Sequence, residues 1–168
     1  GTLLRSSRQH LHERIAGTLE KEFSEAIEIQ PELVARHCAE AGLEDHAIRY
    51  WRLAGEKAVH GASNREAIRH FRQALALIER QPRTAGRLAA ELAILSQLGP
   101  ALMTIHGWTA PEVGITFESA ERLARELERS KDLAPPLAGL WLYHTARGQF
   151  SRADEITQEL FEVAEALG

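Results

Sequence analysis

Eight histidines, one cysteine and a row of arginines are the side chains of this 168-residue sequence with most chemistry to offer. His10, His12, His37, His46, His60, His70, His106 and His144 include no His-Glu-x-x-His pair, the spacing that sets two imidazoles on one helix face to hold zinc. His10 and His12 are two residues apart and face different sides of a helix. His37 diverges from its neighbour Cys38 in the same way. The histidines therefore read as surface or helix-end residues. A lone Cys38 can build neither an internal disulfide nor a cysteine cage, and it reads as a small core residue. The sequence has no Gly-x-x-x-x-Gly-Lys-Ser/Thr phosphate cradle and no Gly-x-Ser-x-Gly elbow. No catalysis, no metal and no cofactor are expected of it.

Charge is the remaining resource, and it is uneven. Residues 1–48 hold 5 basic and 9 acidic residues, residues 49–87 hold 9 and 3, and residues 88–168 hold 6 and 12. The middle is thus cationic between two acidic flanks. Arg65, Arg69 and Arg72 stand at i, i+4 and i+7, one face of a helix. They read either as a solvated face opposite Ala67, Phe71 and Ala74 or as a docking surface for an acidic partner, including another domain of a parent chain. The acidic flanks would repel phosphate and argue against nucleic acid.

These side chains must be carried on helices. Ala, Leu, Glu and Arg dominate, and aromatics make up 6%, a helix-forming composition. No uninterrupted run approaches the ~18 apolar residues of a membrane span, so a cytoplasmic protein with no membrane partner is expected. The sequence opens on Gly1 and enters helical pattern at once, which reads as a piece of a longer protein. Leu3, Leu4, Leu11, Ile15, Leu19 and Phe23 form a first apolar stripe. Pro31 suits the first turn of a second helix, which Gly42 stops. A third runs from Glu44 to His60. Ser63 with Glu66 reads as a capping box opening a fourth, which ends before Pro82. Leu88, Leu92, Leu95, Leu98 and Leu102 form a fifth, in which Pro100 predicts a kink or break. Thr109 with Glu112 reads as the cap of a sixth helix. Ser130 to Pro136 reads as a connection, and a seventh helix carries Leu137, Leu140, Trp141 and Tyr143. Gly148 turns the chain, and Ser151 with Asp154 reads as the cap of an eighth.

A repeat of small and large residues runs through these helices. On a 34-residue helix-pair template, Ala35, Gly42 and the triplet Ala47-Trp51-Ala54 fill one unit. Trp51, Gly55 and Ala67-Phe71-Ala74 fill a second. The triplet recurs after 20 residues, so the helix at Glu44–His60 must close one unit and open the next. Ala47, Ile48, Trp51, Ala54, Ala58 and Val59 give it two apolar sides. Weaker matches use Leu137, Trp141, Gly148, Ala153 and Leu160, and Leu95, Leu98, Gly99 and Leu102 with Phe117 and Ala120. Trp51 and Trp141 read as core. Trp108 lies in a loop, either plugging a helix pair or free to bind.

The stretches LLRSSRQHLHERIAGTLE (3–20), ELVARHCAEAGLEDHAIRYWRLAGEKA (32–58), EAIRHFRQALALIE (66–79) and LGPALMTIHGWTAPEV (98–113) resemble the tetratricopeptide region of large bacterial signalling regulators. In these, a class III adenylate/guanylate cyclase-type or other signalling domain precedes a P-loop ATPase, and the helical repeats follow. Two departures are Cys38, where an aromatic is common, and Pro100, in a helix usually free of proline.

The reading that follows is an all-α, right-handed superhelical array of about eight antiparallel helices over residues 1–168. It comprises a leading helix (1–27), two overlapping repeats (28–81), a degenerate repeat (82–130) and a last repeat (131–168). The resemblance implies a non-catalytic scaffold or sensor binding a protein or peptide. On the repeat template Arg36, Glu40, Arg49, Arg52 and Glu56 line the concave face, beside the row Arg65, Arg69 and Arg72. Two alternatives remain. One is a homodimerisation module, because Ile156, Leu160, Phe161, Val163 and Leu167 exceed what one neighbour covers. The other is the regulatory domain of a DNA-binding activator.

Overall fold

The computed structural model describes residues 10–12, 14–15, 17–18 and 30–167, and among them there is helix and no strand. Leu3, Leu4, Leu19 and Phe23 of the expected first stripe lie outside the described residues. Leu11, within it, is exposed rather than buried. Seven α-helices with defined bounds follow: α1 Pro31–Ala41, α2 Glu44–His60, α3 Asn64–Ile78, α4 Ala85–His106, α5 Pro111–Glu126, α6 Ala134–Ala146 and α7 Phe150–Leu167. They correspond one for one to the second through eighth helices expected from the sequence.

The chain divides into two compact units, residues 1–80 and 81–168. In the first, α2 packs between α1 and α3. Ala35 and Cys38 of α1, Ala47, Trp51 and Ala54 of α2, and Ala67, Phe71 and Ala74 of α3 are all buried. Alanine there brings the helix axes close, and the aromatic fills the gap between turns. Gly55 of α2 shows how close. A Cβ on it would fall 2.7 Å from Cζ of Phe71, inside van der Waals contact. Val59, expected on an apolar face of α2, is exposed near its end.

In the second unit α5 packs on α4, α6 on α5 and α7 on α6. The Phe117 ring of α5 is seated against two glycines, Gly99 of α4 and Gly139 of α6. Gly114 of α5 is covered in turn by the Tyr143 ring of α6. Thus the weaker repeat match through Gly99, Phe117 and Ala120 is built of buried residues. Trp141 differs from expectation: it is 38% exposed. With Gly139 turned to Phe117, a residue two positions on lies about 200° round the helix, facing away.

Four helices end in the same turn. The chain leaves through a left-handed residue (Gly42, Ala62, Glu128 or Gly148). The next amide then reaches back five residues, as from Leu43 to Cys38 and from Ser63 to Ala58. This closes carbonyls the helix end would leave bare. Gly42 and Gly148 were legible as stops; Ala62 and Glu128, without glycine's freedom, were not.

Helix starts fared worse. Ser63 precedes α3, but the Glu66 amide donates to its backbone carbonyl at 2.9 Å and no side-chain cap forms. The residue before α5 is Ala110, not Thr109, and it has no side-chain cap. Helix α7 already includes Ser151. Pro135 and Pro136 lie inside the first turn of α6, where proline's missing N–H costs nothing. A side-chain cap does form at Thr84, accepting from the Arg87 amide at 3.2 Å.

Pro100 does not break α4, which runs unbroken for 22 residues. The proline is exposed, while Leu98, Gly99, Ala101 and Leu102 around it are buried and pinned. By length and composition α4 could cross a membrane, with a mean hydropathy of 1.5. The sequence reading missed this because Glu91, Ser96 and Gln97 interrupt the apolar run. Much of that apolar character is core: Leu88, Leu92, Ile94, Leu95, Leu98 and Leu102 are buried.

Candidate functional site

Helices α1, α2 and α3 of the first unit line an open cleft of about 400 Å³. Glu32 and Arg36 of α1, Trp51 of α2, and Arg69, His70 and Gln73 of α3 form its walls. A second cavity of about 230 Å³ shares Glu32 and His70 and adds Lys57, Ser63 and Glu66. The placement follows from helix geometry. Glu32 and Arg36 are four apart on α1 and so share a face. Arg69, His70 and Gln73 fall within 1.2 turns of α3.

His70 is the centre of this arrangement and corrects the surface reading of the histidines. It is 6% exposed, and its ring stacks on Trp51 with centroids 5.4 Å apart and planes 21° from parallel. Its Nδ1 is buried with no hydrogen-bond partner. Burial first, then the Arg69 charge, pushes its pKa below the usual histidine range, against opposing pulls from Glu32 and Glu66. The free site therefore holds a neutral imidazole at pH 7.

The sequence-derived candidates divide. Arg36, from the expected concave set, and Arg69, from the arginine row, meet in the larger cavity. The other six candidates are not among its walls. Arg52 and Glu56 pair with each other along α2. Arg49 lies over the Tyr50 ring at 5.6 Å. Glu40 is exposed on α1, and Arg65 and Arg72 are exposed on α3. Arg69 keeps only a loose contact with Glu66, 3.9 Å, with both side chains largely exposed. Such a pair contributes little and leaves the guanidinium available.

Three wall residues were missed: Glu32, His70 and Gln73. For His70 a signal existed. It completes the spacing of Ala67, Phe71 and Ala74, three residues after the first and four before the last, which places it on the buried side. Another missed pairing joins His12 and His37, whose Nδ1 atoms lie 2.8 Å apart. Burial, then His12 and Arg36, lowers the His37 pKa. No cluster of three or more metal-ligating side chains occurs among the described residues.

The second unit has a cavity of about 460 Å³ walled in part by Glu118, Glu121, Leu140, His144 and Arg152. Several of its polar groups already satisfy one another or near neighbours. Arg125 donates to Glu121 at 2.8 Å and also bonds Glu159, tying α5 to α7. His144 Nδ1 meets Gln149 Oε1 at 2.8 Å. Arg152 pairs with Glu155 at 2.7 Å. Of the tryptophans outside the first unit, Trp108 is 52% exposed in its loop.

No protein-family model matches the chain. It is similar, at 28% identity over 142 residues, to an uncharacterized protein of Rhizobium meliloti (strain 1021). The match takes in 83% of this chain and 14% of that protein, so the chain spans a small part of the length of the curated relative it matches.

Proposed function

We propose that this chain is a tetratricopeptide-like docking module, a right-handed array of helix pairs that binds an acidic segment of a protein partner. It works within a bacterial signalling regulator and is itself non-catalytic. One observation carries the reading. Arg36 and Arg69, from two different helices, converge on a preformed cleft that Trp51 and His70 also line. A guanidinium is suited to carboxylates, because its planar fork matches their geometry. The buried small-large-small triplets support the array, since they hold α1, α2 and α3 close enough to build one surface. Binding through such a rigid face needs little backbone change.

Fluorescence anisotropy with labelled decapeptides of acidic, neutral and basic composition tests the reading. Selective binding of the acidic peptide, weakened by salt, is expected. Equal binding of all three, or of none, contradicts it.

A second reading, self-association through α7, has its own observation. Ile156 is buried, but Phe161 is 68% exposed and Phe150 is 64% exposed. Light scattering coupled to size exclusion, with Phe161→Glu as control, separates it: a strict monomer at high concentration removes this reading.

A further inference from the structure

We infer that the acidic partner is a second copy of this chain: the outer face of α7 in one copy docks on the arginine row of α3, and on the cleft beside it, in another. This rests on the docking function proposed above and names its partner.

The face of α7 follows from the helix period. Phe150, Asp154, Gln158, Phe161, Glu162 and Glu165 fall within about 120° of arc, and all six are exposed. The other two carboxylates of α7 between them are engaged elsewhere, Glu155 by Arg152 and Glu159 by Arg125. Arg152, the one basic residue of α7, lies on the opposite side from Asp154, two positions away. The exposed face is therefore aromatic and acidic, with no cation of its own.

The face of α3 is its complement. Arg65, Arg69 and Arg72 fall within about 60° of arc, and all three are exposed. Arg69 also meets Arg36 of α1 at the cleft, where Glu32 is the acidic wall residue. Glu66, at 3.9 Å, offsets part of the Arg69 charge. At a rise of 1.5 Å per residue, the row from Arg65 to Arg72 is about 10 Å long and the stretch from Asp154 to Glu162 about 12 Å. The two sets of charges match in length as well as in sign. The surrounding sequence agrees, since residues 49–87 hold 9 basic and 3 acidic residues against 6 and 12 in residues 88–168.

Charge also decides which faces meet. Pairing α7 with α7 sets Asp154, Glu162 and Glu165 against their own copies, and pairing α3 with α3 sets arginine against arginine; both are repelled. Pairing α7 with α3 joins opposite charges. It also brings the Phe161 ring to the cleft, where Trp51 and the apolar stems of Arg36 and Arg69 can cover it. The contact joins two different faces and is therefore heterologous, so a copy lacking one face still pairs with a copy that keeps it.

Analytical ultracentrifugation of the full chain and two charge-reversal variants tests this. One variant is Arg65→Glu with Arg69→Glu and Arg72→Glu. The other is Asp154→Lys with Glu162→Lys and Glu165→Lys. All six positions are exposed, and circular dichroism confirms that each variant folds; where a triple variant does not, Arg65→Glu or Glu165→Lys alone replaces it. The native chain should self-associate at high concentration and dissociate as salt is raised. Each variant alone should associate at least about tenfold more weakly, and an equimolar mixture of the two should regain association. A native chain that stays monomeric, an arginine variant that associates like the native chain, or a mixture that stays monomeric overturns the inference. Acidic-decapeptide binding by a chain that stays monomeric leaves the docking function standing. Loss of both self-association and peptide binding removes both.

Discussion

The Phe71 ring of α3 occupies the space where a side chain on Gly55 of α2 would begin. Helix propensity alone says that Gly55→Ala should stabilise, by about 0.5–1 kcal/mol. The packing says the opposite, because the added methyl must push a fully buried ring. Overpacking of this kind typically costs about 1–3 kcal/mol. Gly55→Ala should therefore lower stability in a urea titration. A rise would show that the two helices are not in this contact.

Phe117 makes the corresponding contact in the second unit, between Gly99 and Gly139. Phe117→Ala should cost about 3–5 kcal/mol, since the ring fills space between two helices and nothing adjacent can collapse into both sides. Differential scanning calorimetry should show the loss. A variant within about 0.5 kcal/mol of native would contradict the packing.

How much of this could be read beforehand depends on what sets each feature. The helices α1 to α7 were legible because apolar spacing, Pro31, Gly42 and Gly148 act locally. The triplets Ala47-Trp51-Ala54 and Ala67-Phe71-Ala74 were legible because close packing restricts side-chain size. The caps were not. Serine before a helix offers a hydroxyl, but the local backbone decides whether the carbonyl is used instead, as at Ser63. Nor was the rotation of α6, which the contact between Gly139 and Phe117 fixes from another element and which leaves Trp141 exposed. Of the site, Arg36 and Arg69 were anticipated separately. Their convergence needed the packing of α1 against α2 and of α2 against α3.

Two left-handed turns should be improvable. Ala62 at φ 57° and Glu128 at φ 54° hold a conformation that L-residues other than glycine adopt at a cost. Ala62→Gly and Glu128→Gly should each raise stability by up to about 1 kcal/mol, the relief outweighing glycine's extra unfolded-state entropy. Chemical denaturation of each single variant checks this. Destabilisation by both would mean the turns are not left-handed.

Acid should weaken the fold. His70 and His37 both have pKa values lowered on folding, chiefly by burial. The unfolded chain therefore takes up protons first, so stability is full above the ordinary histidine value of about 6.5 and is lost as pH falls through it. Melting temperature should drop from roughly pH 7.5 to roughly pH 5.5. His70→Gln should flatten that drop in part, with His37 supplying the remainder. A melting temperature that rises on acidification would contradict the burial of His70 and the partial burial of His37.

The most direct test of the docking surface is a charge reversal at the two arginines that converge on it. Arg36 and Arg69 are both exposed and outside the core, so Arg36→Glu with Arg69→Glu should leave the helical spectrum intact. Measured by fluorescence anisotropy at moderate salt, the native chain should bind the acidic decapeptide in preference to the basic one, and the double variant should reverse that preference. An unchanged preference in a folded double variant would mean that the cavity between α1, α2 and α3 is not where the partner sits.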